Sequence, residues 1–317
     1  VQALVNALKD KELRCIASLE LGYLKSETTV MLLIEALKDE DLDLQHNAIQ
    51  ALGDICSSLI ERRDSYPYSV EFKNRYDTVV QLLVNALKNE DINVRKGVIG
   101  VLLRIQHKIP VVQQLLINSL KDEDDEVRRD AAFALGHIKS ETVVQSLIDA
   151  LKDESEFVRY AVASSLGSLK SETAVQPLID ALNDKSEFVR SEVVSALGNI
   201  KSKTAVQPLI NLLKDVDEDM DGDIRVSAAL ALGDMESKAA VQPLIDLLYD
   251  ENESVRWSAV VALGDIKSET TVQPLIDKLN DEDERVRSEA IRALGNLKSE
   301  TVVRQLINAL NNESENV

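Results

Sequence analysis

The chain alternates between two hydrophobic patterns, and one stretch shows both: Ser155 to Asp184, SEFVRYAVASSLGSLKSETAVQPLIDALND. In its second half Val175, Leu178, Ile179 and Leu182 fall at i, i+3, i+4 and i+7, which makes one apolar stripe on a helix. In its first half Val158, Ala161, Val162, Ser165, Leu166 and Leu169 trace another. The spacing predicts two amphipathic helices joined by a short turn. Pro177 lies in the opening turn of its helix, where a missing N–H costs no intrahelical bond. Gly167 is expected to close the other helix as a left-handed residue.

Close relatives of this unit recur along the whole chain. The closing Leu of each VQPLIDAL-like segment falls at Leu8, Leu37, Leu87, Leu120, Leu151, Leu182, Leu213, Leu248, Leu279 and Leu310, so most steps are 31 residues. That period means a helical solenoid. Neither helix of a pair can bury its stripe alone, so each pair must stack on its neighbours and build a continuous core.

The combination VRxxAxxALGxI followed by AVQPLIxxL resembles the HEAT-like repeats of the phycobilisome bilin lyase type, over nearly all of the chain. Eight of the nine VR-type helices carry the Gly, at Gly22, Gly53, Gly136, Gly167, Gly198, Gly233, Gly264 and Gly295, and the ninth has Leu103 there. The resemblance implies an all-α fold, a right-handed α-solenoid of about nine to ten two-helix repeats. It also implies a layout, with Pro-bearing A helices on the convex face and VR-bearing B helices lining the concave face. The expected organisation is a single solenoid over residues 1–317, interrupted by insertions at about 56–78 and 215–223.

Most repeats place an Asp or Asn just after the A helix and an Arg six residues on, as in Asn89/Arg95, Asp122/Arg128, Asp153/Arg159, Asp184/Arg190, Asp250/Arg256 and Asp281/Arg287; the second B helix has Gln45 instead. Such residues are expected to form a ladder of charge-assisted hydrogen bonds from repeat to repeat.

Charge narrows the partners. The chain has 55 acidic and 36 basic residues, a net charge of −19, which repels phosphate backbones and argues against nucleic acid or anionic membrane as the partner. No apolar run is long enough to span a bilayer, and no signal-peptide pattern opens the chain. The two cysteines, Cys15 and Cys56, read as reduced thiols of a cytoplasmic protein. The chain opens inside an A helix and stops where the next B helix would start, without capping repeats, so a longer parent is expected.

Three irregular stretches stand out. The segment CSSLIERRDSYPYSVEFKNRYDT holds Tyr66, Tyr68, Phe72 and Tyr76, together with Arg62, Arg63, Lys73 and Arg75. It either lengthens the flanking helices and covers the adjoining core, or binds a partner, since Tyr and Arg dominate interface energetics. The repeat from Asp91 to Leu120 has Gly97 and Gly100 inside its B helix, each weakening it by roughly 1 kcal/mol relative to Ala; a bend, or close approach of a partner, is expected there. In DVDEDMDGDIRV, the residues Asp217, Asp219, Asp221 and Gly222 match the first half of an EF-hand-like calcium loop, but Ala228 stands where its bidentate Glu belongs. Calcium and a solvated acidic loop both remain open.

Catalytic chemistry is hard to find. Within this repeat family the deoxyhypusine hydroxylases hold two irons with repeated His-Glu dipeptides, whereas here the pairs are His46-Asn47, His107-Lys108 and His137-Ile138. No phosphate loop, nucleophile elbow or zinc spacing is present. No cofactor is expected, calcium apart.

The A helices are nearly identical to one another, whereas the B helices vary at two places. One residue past the ladder Arg stand Cys15, His46, Lys96, Arg129, Tyr160, Ser191, Val226, Trp257 and Ser288; four residues further stand Leu19, Gln50, Gly100, Phe133, Ser164, Ser195, Leu230, Val261 and Arg292. Places four apart share a helical stripe. On the implied concave face these stripes make a groove, with Arg129, Phe133, Tyr160, Trp257, Lys96 and Arg292 as candidate contacts; drift of free surface positions is the alternative. The expected function is a non-catalytic scaffold for a protein or peptide. The resemblance offers a bilin lyase subunit or chromophore-handling factor as an alternative, and the abrupt ends a regulatory domain of a larger protein.

Overall fold

The computed structural model describes residues 2–7, 10, 12–13, 16–17, 20–21, 27–65, 70–105, 110–214, 223–297 and 302–304. Among them there is no strand. A-type helices are α1 (Gln2–Ala7), α2 (Glu27–Ala36), α4 (Val70–Ala86), α6 (Pro110–Ser119), α8 (Glu141–Ala150), α10 (Val175–Asp180), α12 (Val206–Leu212), α14 (Val241–Leu247) and α16 (Val272–Asp277). They alternate with B-type helices α3 (Leu42–Ser65), α5 (Ile92–Ile105), α7 (Asp125–Leu135), α9 (Glu156–Leu169), α11 (Glu187–Ile200), α13 (Asp223–Asp234), α15 (Glu253–Ile266) and α17 (Glu284–Leu297). The chain forms two compact units, residues 1–165 and 166–317.

Within each unit the expected stacking holds: α3 packs on α5 and α5 on α7 in the first, and α11, α13, α15 and α17 pack in succession in the second. The predicted stripes are the buried faces. Val158, Ala161, Val162 and Leu166 are fully buried, as are Leu178 and, in the other repeats, Leu147, Leu209, Leu244 and Leu275. Each such Leu contributes about 1.5–3 kcal/mol by leaving water. Ser165, the one polar member of the stripe, is buried without an orphaned hydroxyl because its Oγ donates to the Ala132 carbonyl at 2.9 Å.

A helices of the second unit are shorter in α form than their pattern predicts. Around α10, 3₁₀ turns run over Glu172–Ala174 and Ala181–Asn183, tightening both ends. Pro177 does sit in the opening turn of α10.

The glycines do not do what their position suggests. Gly167 is helical, and no described glycine has a positive φ; the left-handed residues are Lys170, Lys201, Glu236 and Lys267, three residues further along. Lys201 and Lys267 close their helices with N–H bonds to the carbonyls of Leu197 and Leu263. The glycines instead allow contact between successive B helices. A Cβ on Gly167 would lie 2.8 Å from the Ala196 Cα, and one on Gly233 would lie 2.7 Å from the Ala262 Cα. Gly198 and Gly264 meet Ala231 and Ala293 in the same way.

The first insertion lengthens both flanking helices, giving α3 24 residues and α4 17. Tyr66 and Tyr68 lie outside the described residues, as do the side chains of Phe72 and Tyr76 in α4. In α5, Gly97 faces the core and not a groove: its missing Cβ would sit 2.8 Å from Leu37 Cδ1. Asp217, Asp219 and Asp221 lie outside the described residues too.

Candidate binding surfaces on the B helices

What holds the B helices in register is the Arg ladder. The sequence pairs each Arg with the acid six residues before it, but the structure divides the work. Arg128 Nη1 donates to the carbonyls of Asp122 and Glu123 at 2.9 and 3.2 Å, closing its own interhelix turn. Its Nε and Nη2 reach both oxygens of Asp153, in the next repeat, at 2.8 and 2.9 Å. Arg256 does the same with the Asp250 and Glu251 carbonyls and with Asp281. Arg225 pairs with Asp250 in the same sense. Each carboxylate in turn accepts from the backbone two residues on, as Asp281 does from Asp283 N–H at 3.1 Å. Burial would raise the Asp281 carboxyl; the bonds from Arg256, the Asp283 N–H and Lys278 overcome it and hold the group below the ordinary carboxylate range.

Other rungs are less complete: Arg225 bonds Asp250 through Nη1 alone and its buried Nε has no partner, and the rungs of Arg95 and Gln45 depart further. Arg95 makes one bond to Asp122, at 3.0 Å, and its buried Nε has no partner. Its acid lies 27 residues ahead, against 25 for Arg128 and Arg256. Gln45 keeps the local half of the rung, donating to the Asp39 carbonyl at 2.6 Å. It has no charge to offer the next repeat, and the ladder residue there is the neutral Asn89.

The variable stripes therefore ride on rigidly spaced helices. In the first unit Phe133 and Tyr160 are 39% and 38% exposed on α7 and α9. Half-buried Arg129 on the same stripe bonds its neighbour Asp130 at 2.9 and 3.0 Å. Lys96 on α5 pairs with Glu126, whose carboxyl is lowered by that bond. In the second unit Trp257 is half-buried beside half-buried Val226, Leu230 and Val261. Arg292 is exposed and clasps Glu289 through Nε and Nη2, at 2.9 and 2.6 Å. The structure thus brings Arg129, Phe133 and Tyr160 to one unit's stripe, and Trp257 and Arg292 to the other's.

Three exposed aromatics escaped the stripe comparison. Phe157 and Phe188, 61% and 76% exposed, lie two residues before a ladder Arg, where other repeats carry Asp43, Asn93, Glu126, Ser254 or Arg285. Comparing repeats at that place would have found them. Tyr249 follows α14, and Lys278 Nζ sits over its ring, 4.7 Å from the centroid.

Among the described residues no group of His, Cys, Asp and Glu is placed to hold a metal, and His46 and His137 are exposed. Cys56 is buried, and burial pushes its thiol up to about 12, so it carries no nucleophile. Among the described residues no helix is long and apolar enough to cross a membrane.

The HEAT repeats family matches residues 1–65, 114–188, 166–219, 216–279 and 272–317. The chain belongs to the HEAT-repeat family. Solved HEAT-type structures resemble it at low identity. A chain of the structure in which Kap95p binds RanGDP matches at 17% identity and a TM-score of 0.63, over 96% of this chain and 46% of that one. The E. coli protein YibA matches at 27% identity and a TM-score of 0.52, over 73% and 86%. The CpcE–CpcF complex of phycocyanin lyase from Nostoc sp. matches at 24% identity and a TM-score of 0.44, over 73% and 93%. No curated protein matches. The HEAT assignment fits the alternation of A and B helices and the arginine ladder; the narrower lyase-type family has no matching sequence relative behind it.

Proposed function

We propose that this HEAT-repeat chain is a non-catalytic scaffold that binds a protein or peptide along the variable stripes of its B helices, each compact unit presenting its own. The observation that carries the reading is the pair Phe133 and Tyr160, large aromatics exposed on the variable stripe, at its second place on α7 and its first place on α9, while the opposite faces of both helices are buried. Lys96, Arg129 and Arg292 give the stripes local positive charge, already tethered by neighbouring acids and so pre-positioned. Trp257 is the anchor of the second unit. Tyr66, Tyr68, Phe72 and Tyr76 of the insertion form a second candidate contact in this reading. The alternative of a bilin lyase subunit rests on sequence resemblance alone.

The test is affinity capture from a lysate of the source cell with the wild type beside the Tyr160→Ala/Trp257→Ala variant, at matched melting temperature. Proteins retained by the wild type and lost by the variant support the reading. Identical retention overturns the stripe as the contact.

A further inference from the structure

The stripe continues one turn beyond its two variable places. Nine residues past the ladder position stand Asp54, Arg104, His137, Ser168, Asn199, Asp234, Asp265 and Asn296, each beside a glycine except Arg104, which follows Leu103. In the first unit this place is electrostatically complete. Arg104 on α5 donates from Nη2 to Asp54 Oδ1 on α3 at 3.1 Å, and its Nη1 bonds Gln50.

In the second unit the same place on the adjacent helices α13 and α15 holds two acids, Asp234 and Asp265. They are held together by packing, because Gly233 and Ala262 let the two helices touch one residue away from Asp234. Among the described residues neither carboxylate is ion-paired. Arg292 and Lys267 act on Asp265 only at a distance, and Arg292 is committed to Glu289. Burial raises the Asp265 carboxyl, and the charge of Asp234 raises it further. One and two turns along the same stripe lie Val226 and Leu230 on α13 and Trp257 and Val261 on α15, all half-buried.

We propose that this face of the second unit docks a basic segment of a partner protein, seating an apolar side chain on Val226, Leu230, Trp257 and Val261 and an Arg guanidinium between Asp234 and Asp265. The proposal rests on the scaffold reading and names its partner's chemistry. Arg104 supplies the precedent: within the chain itself, an acid at this place is met by a guanidinium from the neighbouring helix. Here the chain provides a second acid and, among the described residues, bonds no guanidinium to either carboxylate; Lys201 Nζ on the neighbouring turn is taken by the Asp234 backbone carbonyl, so the carboxylates are left for a guanidinium from outside. The net charge of −19 favours encounter with a cationic segment and makes its on-rate salt-dependent.

Trp257 is the sole tryptophan, so its emission reports on the site directly. Short synthetic peptides pairing Leu with Arg, with uncharged citrulline or with Glu are titrated against the full chain, following Trp257 emission and the anisotropy of labelled peptide. The Arg peptides are expected to shift the emission saturably and to bind about tenfold more tightly than the citrulline peptides. The Asp234→Asn/Asp265→Asn variant is expected to lose that preference while melting no lower than wild type. Equal binding of Arg and citrulline peptides, or an undiminished Arg preference in the Asn variant, overturns the proposal. If binding shows no Arg preference yet is lost in Trp257→Ala, the scaffold reading stands and only the guanidinium site falls. If no peptide binds the wild type, the proposed chemistry is wrong; if bound peptide is indifferent to Trp257→Ala, the Trp257 stripe falls with it.

Discussion

Arg256 grips Asp281 from the preceding repeat, with Nη2 3.0 Å from Oδ1 and Nε 3.1 Å from Oδ2, while its Nη1 holds the carbonyls of Asp250 and Glu251. One side chain therefore closes its own interhelix turn and ties it to the next. Both residues are nearly inaccessible. Arg256→Ala leaves the buried Asp281 carboxylate with only Lys278 and the Asp283 N–H, and the Asp250 and Glu251 carbonyls without their guanidinium donor, and is expected to destabilise the fold by about 1–3 kcal/mol. Because repeats interact mainly with neighbours, amide hydrogen exchange is expected to quicken most in α15 to α17. Arg287→Ala, whose described bonds are to carbonyls of its own turn, should cost less in a urea melt.

Acid should loosen the same joints. The Asp281 carboxyl lies below its ordinary value in the folded chain, so the unfolded chain binds the proton more readily. Its contribution is complete above the ordinary Asp pKa of about 4 and is lost as pH falls below that value through the folded one. Urea unfolding at neutral pH and near pH 3 should show this loss, and it should be smaller in Asp281→Asn, which is already weaker at neutral pH.

Two glycine substitutions should move stability in opposite directions. Gly233→Ala would force a Cβ against the Ala262 backbone, with helix separation as the relief, and is expected to lower stability by about 1–3 kcal/mol. Gly100→Ala places its Cβ 3.4 Å from Ile49, an ordinary contact, and gains helix propensity of up to about 1 kcal/mol. Thermal melts of the two variants decide this.

The neutral rung offers a compensation test. Gln45→Arg alone presents a guanidinium to a repeat whose ladder residue is Asn89, and is expected to be neutral or slightly destabilising. Adding Asn89→Asp should recover a charged rung and give a favourable coupling, which a double-mutant cycle measures.

Local pattern determined a great deal. The apolar spacing in VQPLIDAL and VRxxAxxALG specifies helices, their buried faces and a stacked repeat, because each depends on residues within two turns of one another. The stripe places one and five residues past each Arg were visible for the same reason, and the lengthening of α3 and α4 through the insertion was among the expected readings. The rest depends on contacts between residues about 25 to 31 positions apart. Sequence spacing pairs Arg128 with Asp122, and only the packed turns show that its guanidinium takes Asp122's carbonyl and the carboxylate of Asp153. Gly167 reads as a helix end until Ala196 is found against it. Asp234 and Asp265 are ordinary surface acids in the sequence; the approach of α13 and α15 makes them neighbours, because the distance between helices is set by the side chains that are missing where they touch.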